Sequence, residues 1–146
     1  MNCLISGGFD PLHIGHIRLI ESASRFGRVT VALNSDAWLM RKKGYCFMPW
    51  IERKEILDSL RAVCIVLPVK DDDGTICELL ERIRPDYFAN GGDRTTANAA
   101  EHAVCAKYGI REVFGIGGSK VQSSSTLVAA HRAYQVNHNT QDIDPR

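Results

Sequence analysis

Short apolar runs alternate with segments of helical periodicity along this chain, and this alternation limits its possible folds more than any other feature. Buried strands are predicted at residues 2–6, 29–33, 62–69, 87–89 and 112–116. Parallel strands need long crossover connections, and the intervening helical segments supply them. The sequence therefore predicts an α/β fold with a single-domain, doubly wound, parallel five-stranded sheet of the Rossmann-like type.

The remaining segments complete this prediction. Helical spacing predicts helices at residues 14–26, 51–60, 75–83, 97–108 and 125–134. Residues 41–49 lack periodicity and are expected to form a loop. We place the folded domain at residues 1–136 and a polar, frayed tail at 137–146.

Composition excludes several classes of function. The 146 residues carry a net charge of +1, which gives no global electrostatic case for binding nucleic acid or an acidic membrane surface. The five cysteines are scattered and form no C-x-x-C pair, so they indicate neither a disulfide framework nor a zinc knuckle. With no apolar run of membrane-spanning length, a cytoplasmic protein is expected.

Ligands of doubly wound sheets bind beyond the carboxyl ends of the strands, where the strand order reverses. That rule selects four loops, at residues 7–16, 34–44, 90–94 and 117–126, all rich in residues that handle phosphate. In the first loop, His13 and His16 lie three apart at a predicted helix start, where unpaired N–H groups favour anions. A plain turn with capping histidines would look similar, and a zinc site would need a third ligand that the spacing does not offer.

Residues 8–16, GFDPLHIGH, match the signature (G/T)-F-D-x-x-H-x-G-H of the nucleotidyltransferase superfamily. The chain therefore resembles this superfamily. The resemblance is nearest to the glycerol-3-phosphate cytidylyltransferase and heptose-1-phosphate adenylyltransferase group. Further matches are N-S-D at 34–36, K-G at 43–44, E-R at 52–53, I-R-P-D at 83–86, G-G-D at 91–93 and S-S-T at 124–126.

The resemblance implies an activity. A phosphorylated acceptor, a sugar phosphate or glycerol 3-phosphate, would attack the α-phosphorus of ATP or CTP directly and release pyrophosphate. Such transfers depend on positioning and charge stabilisation more than on a base. Magnesium is implied as the partner of the triphosphate, held largely by phosphates and water. A homodimer is also implied. Neither a nucleic acid nor a membrane is expected as a partner, on the grounds of charge and hydropathy given above.

The resemblance also implies roles for individual residues. Catalytic contacts would come from His13, His16, Lys43 and Arg53, with Lys42 and Arg61 binding substrate. Arg53 and Arg61 would lie two turns apart on one helix and offer bidentate contacts to phosphate. Asp10 would fix the turn rather than bind metal. The expected nucleotide-binding residues are Gly7, Gly8, Phe9, Asp10, Gly15, Asn90, Gly91, Asp93, Ser124, Ser125 and Thr126.

Departures from the resemblance concern the acceptor. Asn90 occupies the position where the heptose-type relatives carry the lysine of K-G-G-D. The basic loop is shorter, and residues 45–48 replace its usual polar residues. The acceptor, the choice between ATP and CTP, and the choice between Lys42 and Lys43 therefore stay open.

Three other classes of protein share fragments of these motifs. Residues 13–16 spell the H-I-G-H motif of class I aminoacyl-tRNA synthetases, but the second lysine-serine motif is missing. Residues 115–118 suggest a dinucleotide oxidoreductase, although the third glycine is absent. The main alternative is a catalytically inactive nucleotide-binding module of the same fold.

Overall fold

The structure, a computed structural model, describes residues 1–92 and 98–139. Five parallel strands form one sheet in the order β3-β2-β1-β4-β5. The strands are β1 (Asn2–Gly7), β2 (Arg28–Leu33), β3 (Val63–Pro68), β4 (Tyr87–Gly91) and β5 (Arg111–Ile116). The helices are α1 (Ile14–Ala23), α2 (Asp36–Lys43), α3 (Trp50–Asp58), α4 (Cys77–Ile83), α5 (Ala99–Tyr108) and α6 (Ser124–Asn139). The predicted doubly wound parallel sheet is confirmed.

Apolar side chains cover both faces of this sheet, which explains why the strand sequences are nearly continuous apolar runs. On one face, Ile5 and Val31 pack with Ile20 of α1 and Leu57 of α3. The residues of the opposite-face cluster are Leu4, Ala32, Val69, Ile76, Leu79, Leu80, Phe88, Cys105 and Ile110. The order of the strands reverses between β1 and β4, so a binding crevice is expected above these two strands.

Helix α2 corrects the first three residues, 41–43, of the loop predicted at residues 41–49. Ser35 caps its start, since the hydroxyl oxygen accepts from the Trp38 N–H at 3.0 Å, and Gly44 ends it with a left-handed φ of 78°. Only Leu39 of this helix is buried, so the apolar periodicity that predicts helices is absent. The basic residues 41–43 form the last turn of α2, where cations interact well with the helix dipole.

The C-terminal end also differs from the prediction. Helix α6 continues to Asn139, beyond the predicted end at residue 134 and into the predicted polar tail. Residues 140–146 lie outside the described part of the chain. Within residues 1–92 and 98–139, no helix has both the length and the apolar character needed to cross a bilayer.

Candidate active site

A cleft of about 470 Å³ lies at the carboxyl ends of β1, β4 and β5, at the reversal of strand order. This volume is within the range of ligand sites for small molecules, roughly 300–1,000 Å³. Its lining residues come from strand ends, the start of α1, the end of α2 and the loop before α6. They are Ser6, His13, Gly15, His16, Arg18, Leu19, Lys43, Ala89, Asn90, Gly91, Gly92, Ile116, Gly117, Gly118, Ser119, Lys120, Val121, Gln122, Ser123 and Ser124.

The histidine pair is held by its own backbone. Nδ1 of His13 accepts a hydrogen bond from the Gly15 N–H at 3.0 Å, and Nδ1 of His16 accepts from the His13 N–H at 3.2 Å. The two imidazole rings stack with centroids 3.8 Å apart. A nitrogen that accepts from a backbone N–H carries no proton, so each neutral ring carries its proton on Nε2. The pair therefore has two Nε2–H donors that the helix start does not use.

Burial keeps these rings neutral. Burial is the main cause that lowers the pKa of His16 to about 3, and the neighbouring His13 and Lys43 lower it further. The pKa of His13 is also lowered, first by burial and then by Lys43 and Lys120. Both imidazoles are therefore neutral hydrogen-bond donors near pH 7 rather than cations. Phe9 contributes to this environment, with its ring centroid 4.8 Å from that of His16.

The geometry separates the two candidate lysines. Lys43, the last residue of α2, lines the cleft. Its pKa is lowered mainly by burial, an effect that Asp10 opposes and that Lys42 and Lys120 reinforce. Lys42 is not among the lining residues, and its Nζ lies 4.9 Å from the centroid of the Trp38 ring. The structure thus brings Lys43, and not Lys42, to the two histidines.

Two further cations, Lys120 and Arg18, line the cleft and are absent from the sequence prediction. Lys120 lies in the predicted ligand loop at residues 117–126 and is the only charged residue there. A single cation in a predicted ligand loop is the sequence signal that could have identified Lys120 as a binding residue. No Asp or Glu is among the described lining residues, so the lining charges are cationic, which suits a polyanion.

Asp10 fastens the loop that follows α2. Its buried carboxylate accepts from the Phe47 N–H at 2.6 Å and from the Met48 N–H at 2.8 Å. This fits the interpretation that Asp10 fixes the turn. Because both oxygens are used by the chain, Asp10 sets the path of the segment next to Lys43.

Arg53 corrects a predicted phosphate contact. Its side chain is fully buried on α3 and donates to the carbonyl oxygens of Met48, Gly8 and Asn34 at 2.8–2.9 Å. Its remaining contact is an ion pair with Asp36 at 2.5 Å. A guanidinium with no exposed surface cannot reach a ligand, so Arg53 braces the loops around the cleft instead.

Arg61 corrects a second prediction. Helix α3 ends at Asp58, so Arg61 does not share a helix with Arg53. Arg61 lies beside residues at the amino ends of β1, β2 and β3, including Met1, Arg28 and Val63. The candidate cleft opens at the carboxyl ends of the strands, and Arg61 is therefore at the opposite end of the sheet.

The serine run is displaced by one position from its prediction. Ser123 and Ser124 line the cleft, whereas Ser125 and Thr126 do not. Ser123 caps α6 by accepting from the Thr126 N–H at 3.0 Å. The buried Ser124 donates its hydroxyl proton to the Pro11 carbonyl at 2.8 Å, which ties the start of α6 to the loop before His13.

The predicted glycines have two kinds of environment. Gly15 lines the cleft, and a Cβ there would lie 2.9 Å from the His13 ring. Gly8 lies outside the lining, and a Cβ there would lie 2.6 Å from the Leu39 side chain, so this glycine allows α2 to pack closely. Gly7 packs under the Phe9 ring and also lies outside the lining. Asn90 and Gly91 line the cleft, while Asp93 lies outside the described residues.

The side chains that line the cleft show how a magnesium ion could be held there. Among the described residues, no group of three or more His, Cys, Asp or Glu side chains is arranged to hold a metal ion. The lining offers hydroxyl and backbone oxygens but no described carboxylate. This donor set fits a magnesium ion that binds with the triphosphate and takes most ligands from phosphate and water.

The fold and the cleft define a doubly wound α/β protein whose ligand site, rich in cations, lies at the reversal of strand order. The sequence profile of the family described as cytidylyltransferase-like matches residues 4–139. The chain belongs to this family, which confirms the predicted nucleotidyltransferase class.

Individual relatives agree with this assignment. The chain is 38% identical over 108 residues to the bifunctional protein HldE of Syntrophotalea carbinolica, covering 73% of this chain and 22% of the relative. It is 40% identical over 117 residues to the bifunctional protein HldE of Koribacter versatilis, covering 77% and 22%. The chain thus spans about a fifth of the length of these relatives, 22% in both.

A solved structure supports the fold alone. The lipopolysaccharide core biosynthesis protein from Thermoplasma volcanium superposes with a TM-score of 0.67 at 21% identity. The match covers 82% of this chain and 98% of that chain.

Proposed function

We propose that this chain transfers a nucleotidyl group from a nucleoside triphosphate to a sugar phosphate and releases pyrophosphate by direct displacement. The observation that carries the proposal is the pair of neutral imidazoles with free Nε2–H donors, held beside Lys43 in a cleft without a described acidic lining residue. Membership in the cytidylyltransferase-like family supports the reaction class.

In this proposal the histidines stabilise the transferring phosphoryl group. The Nε2–H of His16 donates to a non-bridging oxygen of the α-phosphate, and that of His13 donates to a neighbouring phosphate. The Nδ1 bonds to the backbone fix both rings before substrate binds, so no reorganisation is needed when charge develops. Neutral donors of this kind require no proton transfer in the reaction.

The two lysines of the cleft neutralise different phosphate groups of the substrates. Lys43, at the cleft wall, neutralises the acceptor phosphate and the α-phosphate as they approach each other. Lys120 and the N-terminus of α6, on the opposite loop, stabilise the leaving pyrophosphate. When bound, magnesium supplies charge neutralisation on the triphosphate oxygens.

The acceptor class rests on sequence likeness. The N-S-D, K-G and G-G-D stretches resemble the sugar-phosphate members, and the HldE relatives are consistent with that group. We therefore propose a sugar 1-phosphate as the acceptor, with ATP as the first donor to test and CTP as the second.

A pyrophosphate-release assay tests the proposal. ATP, CTP, GTP and UTP are each combined with several sugar 1-phosphates and with glycerol 3-phosphate, and the nucleotidylated product is identified by mass. We expect turnover with at least one sugar phosphate pair. Nucleotide binding in a thermal-shift assay without turnover by any pair would contradict the enzymatic proposal and favour an inactive nucleotide-binding module.

A further inference from the structure

Ser6 on β1 and Asn90 on β4 line the cleft where these two strands end, a position that we call its floor. Leu4 is paired with Phe88 across these strands, and Ser6 and Asn90 each follow two residues further along, so both lie near the carboxyl ends of two adjacent strands.

The amide of Asn90 lacks a partner. Asn90 is 5% exposed, and among the described residues its buried Nδ2 has no hydrogen-bond acceptor. An unpaired buried donor is unfavourable, and such groups are commonly completed by a ligand or an ordered water. The terminal amide torsion is soft, so the Nδ2 group can reorient toward a ligand without a movement of the strand.

The chemistry of this pair differs from that of the cations in the cleft. Phosphate groups are served by Lys43, Lys120 and the helix N-termini, all cationic or dipolar donors. A serine hydroxyl and a carboxamide are neutral and can each donate and accept, as a sugar hydroxyl does. Sites for small molecules commonly fix ligand orientation with a few polar groups of this kind.

We propose that Ser6 and Asn90 form a hydroxyl-binding subsite that holds a sugar ring at the floor of the cleft. The inference rests on the proposed function, since that function supplies two sugars, the ribose of the nucleotide and the sugar of the acceptor. Either sugar presents the same chemistry, and the experiment separates them.

The test compares wild type with Asn90→Ala and Ser6→Ala in steady-state kinetics. One arm replaces the nucleotide by its 2′-deoxy and 3′-deoxy forms, and the other replaces the acceptor by monodeoxy sugar phosphates. Ser24→Ala is the control, because Ser24 is exposed beyond α1 and its hydroxyl bonds to the Glu21 carbonyl, away from the cleft. Inorganic pyrophosphate serves as a probe that carries phosphates and no sugar.

We expect Asn90→Ala to raise the KM of one sugar-bearing substrate by about 3- to 10-fold, the size of one neutral hydrogen bond. In wild type, the deoxy analogue of that substrate should have a KM that is higher by a similar factor. In Asn90→Ala, removing the same hydroxyl should not raise KM further. The arm in which this occurs identifies the sugar. Inhibition by pyrophosphate should change less than twofold, roughly, since no phosphate contact is lost.

Two results would overturn the subsite. The first is that Asn90→Ala discriminates against every deoxy analogue as strongly as wild type does. The second is that Asn90→Ala weakens pyrophosphate binding by the same factor as it raises the KM of the sugar-bearing substrate. If Asn90→Ala does not fold, Asn90→Leu provides the same test, because leucine keeps the side-chain volume, removes both polar atoms and adds no charge. If wild type shows no turnover, calorimetric binding of nucleosides, sugar phosphates and their deoxy forms applies the same criteria, so the two proposals fail separately.

Discussion

Replacing Arg53 by methionine is expected to destabilise the protein rather than to remove a substrate contact. The substitution keeps much of the side-chain volume but leaves the carbonyls of Gly8, Asn34 and Met48 without their charged donor. Hydrogen bonds to charged groups contribute about 1.5–3 kcal/mol each, and such contributions are not additive. The ion pair adds little because the Asp36 side chain is 49% exposed. From the three lost hydrogen bonds we expect the free energy of unfolding to fall by about 3–5 kcal/mol.

Urea and thermal unfolding measure this effect. A loss of that size lowers Tm by roughly 10 °C in a chain of this length. Lys54→Met is the matched control, because Lys54 neighbours Arg53 on α3 but makes only a surface pair with Asp58, worth about 0.5 kcal/mol. If Arg53→Met has the stability of wild type but has lost turnover, the bracing role is refuted and the predicted phosphate contact is favoured instead.

Three further outcomes are expected. Lys43→Ala should lower kcat by about 10²-fold or more in the pyrophosphate-release assay, while Lys42→Ala stays within about threefold; equal losses would remove the distinction between them. Asp10→Asn should speed hydrogen exchange at the Phe47 and Met48 amides, which lose a carboxylate acceptor, and unchanged exchange would argue against that role. Folding lowers the pKa of His16 to about 3 from 6.5, so the unfolded chain binds an extra proton between those values and the free energy of unfolding falls as pH drops through that window. His16→Gln should flatten this pH dependence, and an unchanged slope would show that His16 is not its source.

The sheet and the histidine pair could be predicted because their signals are local. Continuous apolar runs mark strands that are buried on both faces, and the histidine spacing puts both rings on the first turn of one helix. The loop at residues 117–126 could be selected from topology alone, and it supplies Lys120 and Ser123 to the cleft.

The errors concern residues whose partners are distant in the chain. The sequence around a helical arginine does not distinguish an arginine that contacts phosphate from one that braces loops. The carbonyl acceptors of Arg53 on Gly8 and Asn34 lie 45 and 19 positions away in the chain. Arg61 was predicted to share a helix with Arg53, but α3 ends three residues before it. Helix α2 carries visible caps at Ser35 and Gly44, yet its single buried residue leaves no periodicity to detect.

The central claim is that His16 donates a hydrogen bond from Nε2 to the phosphate under transfer. The most direct measurement is the single-turnover rate of pyrophosphate release by His16→Ala, with circular dichroism as the check on folding. The account predicts a folded protein whose rate falls by about 10²–10³-fold, the usual effect of removing one transition-state donor. A folded His16→Ala protein with the wild-type rate would contradict it.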